Sequence, residues 1–279
     1  MAPNISMTSQ ELLRWHLDAG VDETIAAKPV NRFESLAAEP APQPVPQQPG
    51  FAEAPSPSSP SISPSPSPAP ATVSENGNED VTAAVHLAQA AETVSDLRQA
   101  LESFDGCVLK KTATNLVFTD GNAEARILFI GEGPGAEEDR QGTPFVGPSG
   151  KLLDKMMASI GLDRTQALIS NTVFWRPPGN RTPTAHEIAV CMPFVERLIE
   201  LVDPKILVAL GGPAAKSLLA QTAGVGKLRG KWFPYSTPGL ARPIEATALY
   251  HPAYLLRSPG QKRATWSDWL GIKRKLEED

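Results

Sequence analysis

The sequence predicts an α/β fold: three layers, α/β/α, with a central four-stranded, mainly parallel sheet. Three observations predict it. Four short, continuous apolar runs recur after residue 120, segments of helical periodicity separate them, and a glycine or polar residue follows each run. Strands that are apolar at every position are covered on both faces, and strands joined through helices run parallel.

The elements follow in order. Residues 8–20 read as a short amphipathic helix, capped by Thr8 or Ser9, with Leu12, Leu13, Trp15 and Leu17 apolar and Gly20 as its stop. It either docks on the folded core or binds a partner protein. Of the 28 prolines, 12 lie between Pro40 and Pro70 among serine, alanine and glutamine. Such a stretch buries too little apolar surface to offset its ordering entropy, so a disordered linker is expected. The chain therefore divides into an N-terminal segment (1–34), a linker (35–79) and a folded domain (80–279).

Within that domain, Ala, Val and Leu recur at helical spacing over 81–104. Residues 126–130 form the first predicted strand. A helix over 151–160 ends at Gly161, and a second strand covers 167–173. Thr184 and Glu187 have the spacing of a capping box and open a helix to about Leu201. A third strand (205–210), a helix (213–220), a fourth strand (244–250) and a last helix (262–275) complete the order.

Charge divides the chain the same way. Residues 1–80 carry three basic and ten acidic residues, so the −5 of the whole chain becomes +2 for the remainder. A weakly positive domain can hold a local basic face for a polyanion. Two cysteines, Cys107 and Cys191, exclude a disulfide framework and a complete four-cysteine metal site. No apolar run has membrane-spanning length and the start lacks a leader pattern, so a soluble protein of the reducing cytoplasm is expected.

In a parallel α/β sheet, ligands sit beyond the carboxyl ends of the strands. After strand one come Glu132 and several glycines. Gly131, Gly133 and Ala136 suggest a dinucleotide fingerprint, but Pro134 interrupts the turn and three acids occupy the pyrophosphate position. After strand two comes Asn171, then a stiff double-proline loop carrying Arg176, Asn180 and Arg181, suited to a phosphate backbone or simply to a rigid surface. After strand three, Gly211 and Gly212 open a helix that offers amides to an anion. After strand four comes His251, at the mouth of the same crevice.

These residues make the chain recognisable. It resembles the uracil-DNA glycosylase superfamily, most closely family 4, over about residues 101–270. The resemblance rests on GEGPGAEED with PFVG (131–147), SNTVFWRPPGNR (170–181), LRGKW (228–232) and HPAYLLR (251–257). It implies that Glu132 and the backbone at Gly133 hold the attacking water. It implies that Phe145 stacks on a flipped base, that Asn171 reads the uracil edge, and that Glu138 lies where the pyrimidine is contacted. His251 would face the leaving base, Leu255 would wedge into the vacated stack, and Asn180 matches an asparagine of the arginine–proline loop. Arg176, Arg181, Gly212, Arg229, Lys231 and Arg257 would meet DNA phosphates.

The resemblance further implies a monomer that repairs uracil-containing DNA and releases free uracil and an abasic site. In one respect the chain departs from it. Family 4 members usually hold a four-iron, four-sulfur cluster on four cysteines, whereas Phe104 and Trp175 stand at two of those positions beside Cys107 and Cys191. Two thiolates cannot hold such a cluster, so no cofactor is expected.

The chemistry fits the residues. Asn171 can accept from uracil N3–H while donating to O4, and cytosine reverses both demands. A neutral His251 can donate to O2 as negative charge develops there, and Glu132 can orient or deprotonate water. A non-catalytic uracil- or DNA-binding module is the alternative, and a hydrolase of free nucleosides is a third reading. Neither explains Glu132, Asn171 and His251 together with the loop arginines.

Overall fold

A computed structural model describes residues 75–278 of the 279-residue chain. The helix expected at 8–20, and the proposed linker up to residue 74, lie outside the described residues.

The apolar stretch expected as one helix over 81–104 forms two, α1 (Glu75–Ala90) and α2 (Val94–Ser103). The break is a local competition that the chain resolves with a cap. Thr93 Oγ1 accepts from the Asp96 N–H at 3.1 Å, and Asp96 Oδ2 accepts from the Thr93 N–H at 3.0 Å. Arg197 then donates from Nε and Nη2 to the Ala91 carbonyl at 3.0 and 2.9 Å, fastening the break to the next layer.

The remaining elements are β1 (Asp120–Gly121), β2 (Ile127–Gly131), α3 (Ala136–Gln141), α4 (Pro148–Ala158), β3 (Leu168–Asn171) and α5 (Ala185–Val202). After them come β4 (Ile206–Leu210), α6 (Gly212–Leu219), α7 (Val225–Leu228), β5 (Trp232–Tyr235), β6 (Ile244–Leu249), α8 (Pro252–Arg257) and α9 (Lys262–Glu277). Thr184 and Glu187 form the capping box that opens α5, as their spacing predicts.

The strands lie in the order β1-β3-β2-β4-β6-β5. The four predicted strands are the parallel centre, β3-β2-β4-β6. The sheet nevertheless has six strands rather than four, because β1 and β5 add antiparallel edges. Neither has a strong sequence signal: β1 is two residues long, and β5 contains Pro234, which only an edge strand tolerates readily.

Period-two alternation divides the core. Leu128, Ile130, Leu207 and Ala209 face one layer with α2, α5 and α6, where Leu97, Leu101, Phe194 and Leu198 are buried. Ile127, Phe129, Ile206 and Val208 face the other, with Leu153 and Met157 of α4 and Trp269 and Ile272 of α9. Phe129 stacks on Trp269 with ring centroids 5.5 Å apart. Each such buried side chain contributes about 1.5–3 kcal/mol of transfer free energy, so both layers are fixed before any loop is considered.

The chain runs from β2 outward to β3, then passes back across β2 to β4. The carboxyl end of β2 is therefore a topological switch point, where adjacent loops diverge and leave a crevice. Among the described residues, no helix is long and apolar enough to cross a membrane.

Candidate active site

The crevice is a cleft of about 790 Å³, and Glu132, Phe145, Asn171, Gly212, His251 and Arg257 all line it. Residues from the ends of all four parallel strands thus converge on one cavity.

Asn171 is the last residue of β3 and is 1% exposed. Neither Oδ1 nor Nδ2 has a hydrogen-bond partner among the described residues. Burying both ends of an amide unpaired costs several kcal/mol in order of magnitude, so the geometry calls for a ligand with a complementary donor and acceptor. Gly131, opposite Asn171 in the β2–β3 register, leaves the room. A Cβ there would lie 2.5 Å from Asn171 Oδ1 and 2.6 Å from the Phe145 ring.

Phe145 is buried, yet its backbone is left-handed at φ 55°. That conformation costs a side-chain-bearing residue about 1–2 kcal/mol, and an arginine holds it in place. Arg164 donates to the Phe145 carbonyl at 2.5 Å and to the Pro144 carbonyl at 3.2 Å, while Asp154 (2.9 Å) and Asp120 hold the guanidinium. Gly150 allows the turn, since a Cβ there would come within 1.6 Å of the Phe145 oxygen. Sequence reading missed Arg164; it follows a helix and stands in no motif.

His251 stacks on Phe145, with ring centroids 5.6 Å apart at 29°. It is also the N-cap of α8, and its Nδ1 accepts from the Ala253 N–H at 3.1 Å. A backbone N–H only donates, so Nδ1 is the acceptor and the ring proton sits on Nε2. Burial, reinforced by the charge of Arg257 and opposed by Glu138, pushes the imidazolium pKa down to about 4. The ring is neutral at pH 7 and presents one N–H.

Glu132 follows β2. Its carbonyl accepts from Thr172 Oγ1 at 2.6 Å and the Val173 N–H at 3.3 Å, fixing its backbone beside Gly133. Burial lifts its carboxyl above the usual carboxylate range, and a hydrogen bond with Thr182 opposes the lift. Glu138 also lines the cleft, but as a tie: its two oxygens accept from the Gly147 N–H at 2.8 Å and the Gly135 N–H at 3.1 Å. These bonds hold the two loops together.

The loop after β3 is similarly braced. Arg181 forms a bidentate pair with the buried Glu187 at 2.8 and 2.6 Å, and Glu187 accepts from the Thr184 N–H at 2.7 Å. The pair holds the Glu187 carboxyl down at about 2. Asn180 and Arg181 line the cleft, whereas Arg176 lies outside that lining and donates to Asn180 Oδ1 at 2.7 Å.

Two expected DNA contacts are corrected. Arg229 binds Asp268 at 2.8 Å and the Ala264 carbonyl, so it bridges α7 to α9 instead of standing free for a phosphate. Leu255 is fully buried, and its neighbour Leu256 is 45% exposed. Successive residues of a helix point about 100° apart, so the turn that brings Leu255 into the core sends Leu256 to solvent.

Comparison with known proteins places the chain in a family. A family profile described as the uracil DNA glycosylase superfamily matches residues 118–270. The chain belongs to that superfamily. It is 37% identical to a type-4 uracil-DNA glycosylase of Archaeoglobus fulgidus over 65% of this chain and 92% of that relative. It is 38% identical to a type-4 uracil-DNA glycosylase of Thermotoga maritima over 60% of this chain and 85% of that one. A type-5 uracil-DNA glycosylase of Pyrobaculum aerophilum matches at 29% over half of this chain, so the type-4 branch is its place in the superfamily.

The iron–sulfur cluster of that branch does not fit these residues. Phe104 and Trp175 are each 3% exposed and share a hydrophobic cluster with Cys107 and Cys191. Phe104 packs on Phe194 with centroids 5.2 Å apart. The two thiols are buried and free, and the neighbouring Cys107 thiol, with burial adding to it, lifts Cys191 well above the usual thiol value. Among the described residues no group of three or more metal-ligating side chains occurs. Ring carbon occupies the two missing ligand positions.

Proposed function

We propose that this superfamily member is a uracil-DNA glycosylase, a repair enzyme that flips uracil out of DNA and hydrolyses its N-glycosidic bond. The observation that carries the reading is the unpaired, buried amide of Asn171 beside Phe145 and the single N–H of His251. A flipped uracil satisfies all three. Its face stacks on Phe145, its N3–H donates to Asn171 Oδ1, and its O4 accepts from Nδ2. Its O2 accepts from His251 Nε2–H.

As the bond between C1′ and N1 breaks, its electron pair passes to the base and negative charge gathers on O2. A donor already aimed there stabilises the transition state more than the ground state. Water held by Glu132 and the Gly133 backbone bonds to C1′ through oxygen, and its proton passes to the Glu132 carboxylate. Free uracil and an abasic site remain. Asn180, Gly212 and Arg257, at the rim, meet the phosphates, and Leu256 fills the vacated stack. The enzyme works as a monomer in the cytoplasm, and the segment at 8–20 is available to a protein partner.

The test is incubation with single- and double-stranded DNA bearing one uracil, scored for abasic sites, with cytosine and thymine at the same position as controls. Abasic sites at uracil alone are expected. Tight binding without cleavage would favour a binding module instead.

A further inference from the structure

A single pyrimidine between Phe145, Asn171 and His251 fills one end of the cleft, and a cleft of about 790 Å³ is large enough for a ligand of several rings. The rest of the lining has its own chemistry. Tyr250 and Tyr254 flank His251 in sequence, both line the cleft, and their ring centroids are 5.0 Å apart at 37°. Tyr250 is braced: the Arg229 guanidinium lies 5.4 Å from its ring centroid and is itself locked to Asp268. Gly224, Val225 and Gly226 line the same cleft, and Gly226 packs so close to Tyr250 that a Cβ there would lie 3.1 Å from its hydroxyl. The result is a braced aromatic pair in the lining of the cleft. The uracil contacts leave it without a role.

We propose that the Tyr250–Tyr254 wall is a second subsite, which stacks the base of the nucleotide adjacent to the flipped uracil in the same strand. The inference rests on the glycosylase reading and adds a ligand to the same cleft. Every base has a π-face, so such a subsite binds any neighbour without reading its sequence. The neighbouring base leaves its own stack to reach the wall, which makes single-stranded DNA the favoured substrate. Tyr250 immediately precedes His251, the N-cap of α8, and Tyr254 lies in the first turn of that helix, so the grip on the neighbour is coupled to the position of the oxyanion donor.

The test uses the full chain and a single-stranded oligonucleotide with one 2′-fluorinated deoxyuridine, which resists cleavage. Two further oligonucleotides lack the base of the nucleotide 5′ or 3′ of the uracil. The wild type should lose roughly tenfold in affinity when one of these neighbours loses its base and little when the other does, the usual scale for one base–aromatic stack. Tyr254→Ala should bind the intact oligonucleotide about tenfold more weakly and be indifferent to both deletions, while Tyr254→Phe should match the wild type. A wild type indifferent to both neighbours would overturn the subsite, as would a Tyr254→Ala protein that still loses tenfold when the base is removed. Excision from ordinary uracil DNA by the same preparation separates the two readings. Excision without any neighbour effect removes the subsite alone, whereas neither excision nor binding removes both.

Discussion

Nδ1 of His251 accepts a hydrogen bond from the backbone N–H of Ala253 at 3.1 Å. One contact therefore caps α8, fixes the tautomer and leaves the Nε2–H for substrate. Capping and catalysis share a side chain because Pro252, at the first helical position, has no N–H to compete.

This arrangement predicts a particular pH dependence. With its pKa near 4, His251 stays a neutral donor well below the 6.5 of an ordinary histidine. Glu132, lifted by burial, titrates within the acid limb instead. The acid limb of kcat/KM should lie above the ordinary carboxylate value and disappear in Glu132→Gln. A limb unchanged in that variant would assign the water to the Gly133 backbone alone.

Stability carries the same signature. Between pH 6.5 and about 4 the unfolded chain protonates at this position while the folded protein does not. The stability due to neutral His251 is complete above 6.5 and is lost as pH falls to about 4. Urea unfolding of the wild type and His251→Gln over that window should give a smaller acid loss in the variant; parallel curves would contradict it.

Asn171→Asp should weaken discrimination against cytosine. A carboxylate only accepts, so it suits the cytosine N4 donor and repels uracil O4. Relative excision from uracil and cytosine oligonucleotides measures this, and full retention of uracil activity would remove Asn171 from the reading role.

Leu256→Ala should lose activity on duplex DNA and spare single strands, where no stack has to be refilled. Leu255→Ala should instead lower thermal stability, with a cost of about 2–5 kcal/mol for a buried leucine. Equal losses on both substrates for Leu256→Ala would take the wedge away from α8.

Much of this was legible before the structure. Val208 and its neighbours in β4 are apolar at every position, which leaves few alternatives to a central parallel strand, and Glu132, Asn171 and His251 lie at or just beyond the carboxyl ends of such strands. What stayed hidden depends on three-dimensional arrangement. Pro234 and the two residues of β1 carry no strand pattern, and the break at Thr93 lies inside an otherwise unbroken apolar periodicity. Arg164 supports Phe145 across 19 residues through carbonyls, and no side-chain motif records a carbonyl. Leu255 and Leu256 are chemically identical, so only the rotation of α8 decides which one faces solvent. Arg229 resembled any other loop arginine until α9 brought Asp268 beside it.

The central claim is that a neutral His251 stabilises the departing uracil anion, and single-turnover excision from a single-stranded uracil oligonucleotide tests it most directly. The wild type should produce an abasic site, and His251→Ala should do so about 10²–10³-fold more slowly while binding the oligonucleotide almost unchanged, the loss typical of one donor to a developing oxyanion. A His251→Ala protein that cleaves at the wild-type rate, or one whose loss lies wholly in binding, would contradict it.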